Sequence, residues 1–119
     1  MTVEEVNEGG KEIISMSVKI DEVLEMPAAG ELELPDVLQA LSDPVRLTIV
    51  RELAAGGEQA CGAMPLGVSA STRSHHFKIL REAGLTVTRV HGTQRLVTLR
   101  RADVDRRFPG LLAAVLAER

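Results

Sequence analysis

Residues 69–101 read SASTRSHHFKILREAGLTVTRVHGTQRLVTLRR, and this stretch decides the fold. It holds seven of the fourteen Lys and Arg of the chain and all three His, against a single acid, Glu82. Its formal charge is therefore +6, although the whole chain carries −3. Such a concentration of positive charge indicates an anionic partner, and its pattern of a helix followed by a hairpin favours duplex DNA.

The same stretch contains its own start and stop signals. Ser69 is placed to cap a helix that runs to residue 83, and Gly84 is placed to end that helix. Two strands are predicted next, Thr86–His91 and Arg95–Leu99. Gly92-Thr93 lies between them and fits a two-residue hairpin turn with glycine first.

The chain before residue 69 predicts three more helices. Apolar residues spaced at i, i+3, i+4 and i+7 predict a short amphipathic helix over Asp36–Leu41. Asp43 is placed as the N-cap of a second helix, with Pro44 at its first position and Gly56-Gly57 at its end. A third helix is predicted over Glu58–Leu66, where a glycine and a proline interrupt the pattern.

The order of elements predicts the fold class. After the hairpin a last helical stretch starts at Asp103, and Pro109 breaks or restarts it. Four helices, a hairpin and a final helix make a mainly α fold with a small β-hairpin, a winged helix-turn-helix. Residues 36–119 are predicted to form this DNA-binding and dimerisation domain, and residues 1–35 an acidic N-terminal extension, in which residues 13–20 (IISMSVKI) could form a short strand.

Charge and composition narrow the function. Residues 1–40 carry two Lys and ten acids, a net charge of −8, whereas residues 41–119 carry a net charge of +5. The chain has two Phe and neither Tyr nor Trp, so it offers few rings for stacking the bases of single strands or RNA loops. Its single Cys fits a reducing cytoplasm, and its longest apolar run, Leu111–Ala117, is too short to span a membrane. The sequence lacks a phosphate-binding loop, a nucleophile elbow and a metal-ligand cluster, so neither an enzyme nor a cofactor is expected.

The predicted DNA-reading helix has a polar outer face. Ser71, Ser74, His75, Lys78 and Arg81 share that face at 3.6 residues per turn. Small side chains near the helix start would approach base edges, and the cations farther along would hold phosphates. With the hairpin tip and the helix start added, the predicted DNA contacts are Ser69, Ser71, Thr72, Arg73, Ser74, His75, Lys78, Arg81, Arg89, His91, Gln94 and Arg95. The alternative is a solvated face on an ordinary surface helix.

Three runs together resemble a known family: DPVRLTIVREL at 43–53, SASTRSHHFKILREAGL at 69–85 and HGTQR at 91–95. They are similar to ArsR-type (arsenic-repressor-like) winged helix-turn-helix regulators over residues 36–117. The resemblance implies a cytoplasmic homodimer, with the first and last helices at the subunit interface, that binds an inverted-repeat operator in a promoter as a repressor relieved by an effector. The sequence does not identify that effector.

The expected dimerisation residues are apolar and lie on the first and last helices, and packing within one chain is the alternative. They are Val37, Leu38, Leu41, Leu111, Leu112, Val115 and Leu116.

Four further residues carry specific expectations. Arg73 stands where the family has a buried Val or Ile, so it must reach either the surface or a phosphate. His76 is expected to be a core histidine bonded to backbone, and Arg46 to pair with a local acid. Cys61 lacks the partners that metal-sensing members of the family use, so no metal site is predicted, and its role is either incidental or that of a redox sensor. A winged-helix protein-interaction module that uses the acidic extension is the other functional alternative.

Overall fold

The computed structural model describes residues 22–117. The strand predicted within residues 13–20 lies outside this range. In the described part the helices are α1 (Leu34–Leu41), α2 (Pro44–Gly56), α3 (Ala70–Glu82), α4 (Arg101–Arg107) and α5 (Leu111–Ala117). The strands are β1 (Glu22–Val23), β2 (Gln59–Ala60), β3 (Thr86–His91) and β4 (Gln94–Leu99), and two 3-10 turns cover Ala29–Glu31 and Cys61–Ala63.

The predicted starts of α2 and α3 are confirmed by their caps, whereas α1 begins at Leu34, two residues before the predicted Asp36. The Asp43 carboxylate accepts hydrogen bonds from the backbone N–H of Val45 at 2.9 Å and of Arg46 at 3.1 Å, where α2 begins. The Ser69 hydroxyl accepts from the backbone N–H of Thr72 at 3.2 Å and caps α3 in the same way. These side chains satisfy N–H groups that have no partner inside the helix, so each cap fixes where its helix starts.

The predicted third helix over Glu58–Leu66 is wrong. Gln59 and Ala60 instead form β2, paired antiparallel with Val97 and Leu96 of β4, and the 3-10 turn Cys61–Ala63 follows. Pro65 supplies one physical reason, because it disfavours helical backbone at the preceding Met64, whose ψ is 128°. The edge of the β-hairpin provides the pairing partner that the local pattern does not reveal.

The first of the two C-terminal helices starts earlier than predicted. Helix α4 begins at Arg101 rather than at Asp103, which lies in its first turn. The break at Pro109 is confirmed, since α4 ends at Arg107 and α5 begins at Leu111. No helix within residues 22–117 is long and apolar enough to cross a bilayer.

The hairpin is confirmed and lies at the centre of a larger sheet. Strands β3 and β4 pair from Thr86↔Leu99 to His91↔Gln94, and Gly92 takes a φ of +63° in the two-residue turn. In the described residues the sheet has four strands in the order β1-β3-β4-β2, with a two-residue strand at each edge. Since side chains alternate across a strand, the sheet has two distinct faces. The inner face, with Thr86, Thr88 and Val97 buried, packs on the helices, and the outer face carries Val87 and Thr98.

Residues 22–33, which we call the N-terminal strap, are packed on the domain. Strand β1 adds to the edge of β3, and Leu32 is buried in the core. The Arg100 guanidinium donates to the backbone oxygen of Pro27 at 2.8 Å, and Arg107 donates to that of Leu32 at 2.9 Å. The sequence analysis assigned this segment to the extension, yet its described residues contribute both core and hydrogen bonds to the domain.

The core joins the helices, the strap and the sheet. Its buried apolar members come from all of these elements: Leu32, Val37, Ala40, Leu41, Ile49, Val50, Leu53, Met64, Phe77, Leu80, Ala83, Leu85, Val97, Val104 and Leu112. Helix α3 buries only its inner face in this core, so its outer face is left to solvent.

Candidate nucleic-acid interface

The outer face of α3 is exposed, as its helical period predicts. Ser71, Ser74, His75 and Lys78 are all exposed, and Arg81 is half-buried in the last turn. Within residues 22–117, the side chains of Ser74 and Lys78 make no hydrogen bond or ion pair. This face therefore presents small polar groups first and cations farther along.

The start of α3 is held by its own hydroxyl groups. Ser69 Oγ accepts from the Thr72 N–H and donates to Thr72 Oγ1 at 3.0 Å. Both residues were predicted DNA contacts and both are exposed. The Ser69 hydroxyl is taken up by the cap, whereas Thr72 Oγ1 accepts from it and keeps its own O–H as a donor for an anion near this helix start.

Arg73 is half-buried against the 3-10 turn Cys61–Ala63. Its Nη1 donates to the backbone oxygens of Gly62 at 3.2 Å and of Cys61 at 3.4 Å. Its Nε is buried without a partner in the described part of the chain. Its guanidinium fastens the 3-10 turn to α3, because the turn offers the carbonyl acceptors that a half-buried cation needs, and its contact with DNA stays a prediction.

Three arginines lie near Cys61: Arg73 and Arg81 of α3 and Arg95 of β4. Burial raises the pKa of the Cys61 thiol, and the positive charges of Arg95, Arg73 and Arg81 act in the opposite direction. The three guanidinium groups therefore lie near the same thiol. The raised pKa keeps the thiol protonated near neutral pH, which lowers its reactivity as a redox sensor.

The two arginines of the hairpin project from opposite faces of the sheet. Arg89 pairs across the ladder with Leu96, and Arg95 pairs with Val90, so the alternation of side chains separates them. Arg95 is exposed on the inner face, which it shares with α3. Arg89 lies on the outer face and donates two hydrogen bonds of 2.9 Å to the Glu58 carboxylate. The sequence prediction grouped the two arginines as DNA contacts, whereas the structure brings only Arg95 to the side of α3.

The hairpin tip carries the last two predicted contacts. His91 and Gln94 face each other across the ladder next to Gly92, on the same face as Arg89, and both are exposed. Because they sit at the end of the hairpin, they remain within reach of a nucleic acid bound at either face.

Sequence reasoning missed Glu58, which also accepts from Thr98 Oγ1 at 3.4 Å. It lies 31 positions from Arg89, and no local pattern joins the two residues. Within residues 22–117 no group of three or more His, Cys, Asp and Glu side chains could hold a metal ion.

The predicted dimerisation residues divide into buried and accessible ones. Val37, Leu41 and Leu112 are buried within the chain itself, so they are corrected to core residues with no surface to offer a second subunit. Leu38 is 47% exposed, and Leu34, one turn away, is 41% exposed. Leu111, Val115 and Leu116 of α5 are half-buried.

Comparison with known proteins gives concordant results. A family model described as a helix-turn-helix domain matches residues 41–90. An uncharacterised HTH-type transcriptional regulator of Bacillus subtilis (strain 168), YceK, is 42% identical over 79 residues, which cover 64% of this chain and 79% of that protein. An arsenical resistance operon repressor of Staphylococcus xylosus is 36% identical over 74 residues, which cover 61% of this chain and 71% of that protein. The crystal structure of the transcriptional repressor BigR from Xylella fastidiosa superposes with a TM-score of 0.52 at 30% identity, covering 68% of this chain and 84% of that one.

Proposed function

The chain belongs to the ArsR family of winged helix-turn-helix transcriptional regulators, and we propose that it acts as a cytoplasmic homodimeric repressor. In this proposal the dimer binds an inverted repeat of duplex DNA within a promoter. Polymerase is excluded while the repressor occupies that site. The repressor names of two of its relatives support this direction of regulation.

The single observation that carries the proposal is the exposed outer face of α3, which carries small polar side chains and cations. Ser74 and His75 stand where a helix in the major groove meets base edges. Lys78 and Arg81 of that face, with Arg95 of the hairpin, would hold the phosphates on either side of the bases. The small side chains at the start of α3 let the helix axis come close to the bases, and the partial positive charge of the helix N-terminus adds to the attraction.

The homodimer is proposed from the apolar face that one chain leaves accessible. Leu34 and Leu38 lie one turn apart on α1 and are both more than 40% exposed. The half-buried apolar side chains of α5 extend this surface. In a dimer formed through this surface, the two copies of α3 would need to lie about 34 Å apart to enter successive major grooves.

The experiment that tests this function starts with selection of bound duplexes from a random-sequence pool. We expect one inverted-repeat sequence to be enriched, with specific binding at least about 10³-fold tighter than binding to random duplex. Enrichment of no sequence, together with no binding to random duplex at low salt, would contradict the proposal and favour the protein-interaction alternative.

A pair of charge variants then locates the binding surface. Arg95→Ala should weaken binding to the selected and the random duplex alike and reduce the slope of log affinity against log salt by about 1. Arg106→Ala removes the same charge from α4, where the side chain is 74% exposed, and should leave both affinities nearly unchanged. If the two variants lose affinity equally, net charge rather than this surface governs binding.

A further inference from the structure

A polar cluster lies behind α3, on the side opposite the proposed DNA-reading face. Arg46 Nη1 is 3.1 Å from Nδ1 of His76, which is buried on the inner side of α3. The same guanidinium donates through Nε to the backbone oxygen of Ala40 at 2.8 Å and through Nη2 to that of Gln39 at 3.3 Å. One side chain from the start of α2 therefore joins the end of α1 to the middle of α3.

The chemistry of this contact determines which tautomer of His76 can make it. A guanidinium has N–H donors and no acceptor, so Nδ1 of His76 must accept the hydrogen bond from Arg46. An imidazole that accepts at Nδ1 carries its proton on Nε2 and is neutral. His76, predicted to bond to backbone, and Arg46, predicted to pair with a local acid, pair with each other in the structure.

The charged groups around the imidazole are few and can be named. Asp43 Oδ2 is 3.9 Å from Nδ1, while the same oxygen caps the start of α2. The ring of His75 lies 6.2 Å away, centroid to centroid. Asp36 and Glu82 line a surface depression beside Arg46.

We infer that His76 is a positioning residue for DNA reading, and that its neutral imidazole, held by Arg46, sets the orientation of α3 on α1 and α2. This inference rests on the proposed function, because it concerns the same helix. His76 follows Ser74 and His75 directly, so a rotation of the inner contact turns the reading side chains by the same angle.

A proton on Nδ1 of His76 would remove the acceptor of the hydrogen bond from Arg46. An N–H at Nδ1 would face the Arg46 donor, and the nearest acceptor would be the Asp43 carboxylate. The ring would then compete with the two backbone N–H groups that hold the start of α2. Since base reading depends on helix orientation and phosphate attraction depends much less on it, acid should reduce discrimination more than overall affinity.

The experiment compares two duplexes, each labelled with fluorescein and about 30 base pairs long, enough for two half-sites one helical turn apart. One is the sequence selected from the random pool, and the other is a scrambled duplex of the same composition. Their affinities are measured by anisotropy at about pH 7.5 and about pH 5.5, the range in which imidazoles take up a proton. A change of charge elsewhere on the protein acts on the phosphates of both duplexes alike, so the ratio of the two affinities reports on base reading alone.

Three variants separate positioning from structure. In His76→Asn the amide oxygen replaces Nδ1 as an acceptor and does not titrate, so we expect the wild-type affinity ratio at the higher pH and no fall at the lower one. In His76→Leu the Arg46 donor loses its acceptor, and the ratio should drop about tenfold at both pH values. His75→Asn changes the neighbouring side chain on the proposed reading face, so its ratio should start lower than that of the wild type and should still fall on acidification.

The inference is overturned if His76→Asn loses discrimination as strongly as His76→Leu, or if its ratio falls with acid as in the wild type. It is also overturned if His76→Leu lowers the melting temperature while the ratio stays unchanged, because the residue is then only structural. The tautomer provides a readout that needs no DNA: long-range ¹H–¹⁵N NMR spectra should show the proton of His76 on Nε2. A protonated Nδ1 at about pH 7.5 contradicts the inference, whereas failure of the wild type to bind any duplex contradicts the proposed function alone.

Discussion

Replacement of Gly84 by Ala tests how firmly the N-terminal strap is packed on the end of α3. Gly84 takes a φ of +89°, in the left-handed region that favours glycine. A Cβ at this position would collide with Cδ2 of Leu32 and would lie 3.2 Å from Cγ of Leu32 and 3.3 Å from Cγ of Pro27. The substitution therefore strains the backbone and pushes against the strap at the same point.

The magnitude follows from these two effects. The left-handed conformation costs about 1–2 kcal/mol for a residue with a Cβ. Overpacking against a buried leucine adds about 1–3 kcal/mol. At about 4 °C per kcal/mol for a chain of this size, a total of about 2–5 kcal/mol lowers the melting temperature by about 8–20 °C.

The assay is thermal unfolding followed by far-ultraviolet circular dichroism, with two matched glycine controls. Gly92→Ala imposes a similar φ, +63°, with no atom within 4 Å of the new Cβ, so it should show the backbone cost alone. Gly62→Ala meets no atom within 4 Å and takes no positive φ, so it should melt close to the wild type. If Gly84→Ala melts no lower than Gly92→Ala, Leu32 and Pro27 do not press on Gly84, and the packing of the strap described above is wrong.

Three further predictions address the cap, the hairpin and the dimer. The backbone N–H of Arg46, with smaller contributions from other groups, holds the pKa of Asp43 below its usual value. The cap therefore stabilises the fold above about pH 4, and this stabilisation is lost as the pH falls further. Urea unfolding at neutral pH should show that Asp43→Ala is about 1 kcal/mol less stable than the wild type. An equal loss of stability at about pH 2 would refute this assignment. Arg89→Ala should cost no more than about 1 kcal/mol of stability and leave the affinity for random duplex within about twofold, because Arg89 is already paired with Glu58 on the outer face. An affinity loss as large as that of Arg95→Ala would show that the Arg89–Glu58 pair opens on DNA. Leu38→Glu should convert the proposed dimer to monomer in sedimentation equilibrium, whereas Val23→Glu, at a similarly exposed apolar position on β1, should leave the assembly unchanged. Equal effects of the two substitutions would exclude α1 as the specific interface.

Local signals in the sequence predicted most of the helix and hairpin boundaries. Asp43 and Ser69 form caps with the next few backbone N–H groups, so the information that fixes each helix start lies within three residues. Gly92 acts in the same way at the turn. The exposed face of α3 also follows from its period alone, because a helix packed on one side must expose the other.

The features that were missed depend on contacts between distant residues. The pattern over Glu58–Leu66 does not show that Gln59 and Ala60 find a partner strand almost 40 positions away. The pairing of Arg46 with His76 spans 30 positions and that of Arg89 with Glu58 spans 31. Such pairs form only once the helices and the sheet are assembled, so no window of local sequence contains them.

The opposite orientation of Arg89 and Arg95 can be derived from the sequence. A two-residue turn at Gly92-Thr93 fixes the register of the hairpin, and that register places Arg89 opposite Leu96. Arg95 is adjacent to Leu96 and must therefore project from the other face. Combining the turn length with the alternation of side chains therefore predicts that only one of the two arginines accompanies α3.

The most direct test of the account is NMR titration of ¹⁵N-labelled protein with the selected duplex. We predict that the signals that shift or broaden first and most strongly are those of Ser74, His75, Lys78 and Arg95. Signals of Val87 and Thr98, on the outer face of the sheet, should remain in place. Perturbations centred on that outer face, with α3 unaffected, would contradict the claim that this chain reads DNA through the outer face of α3.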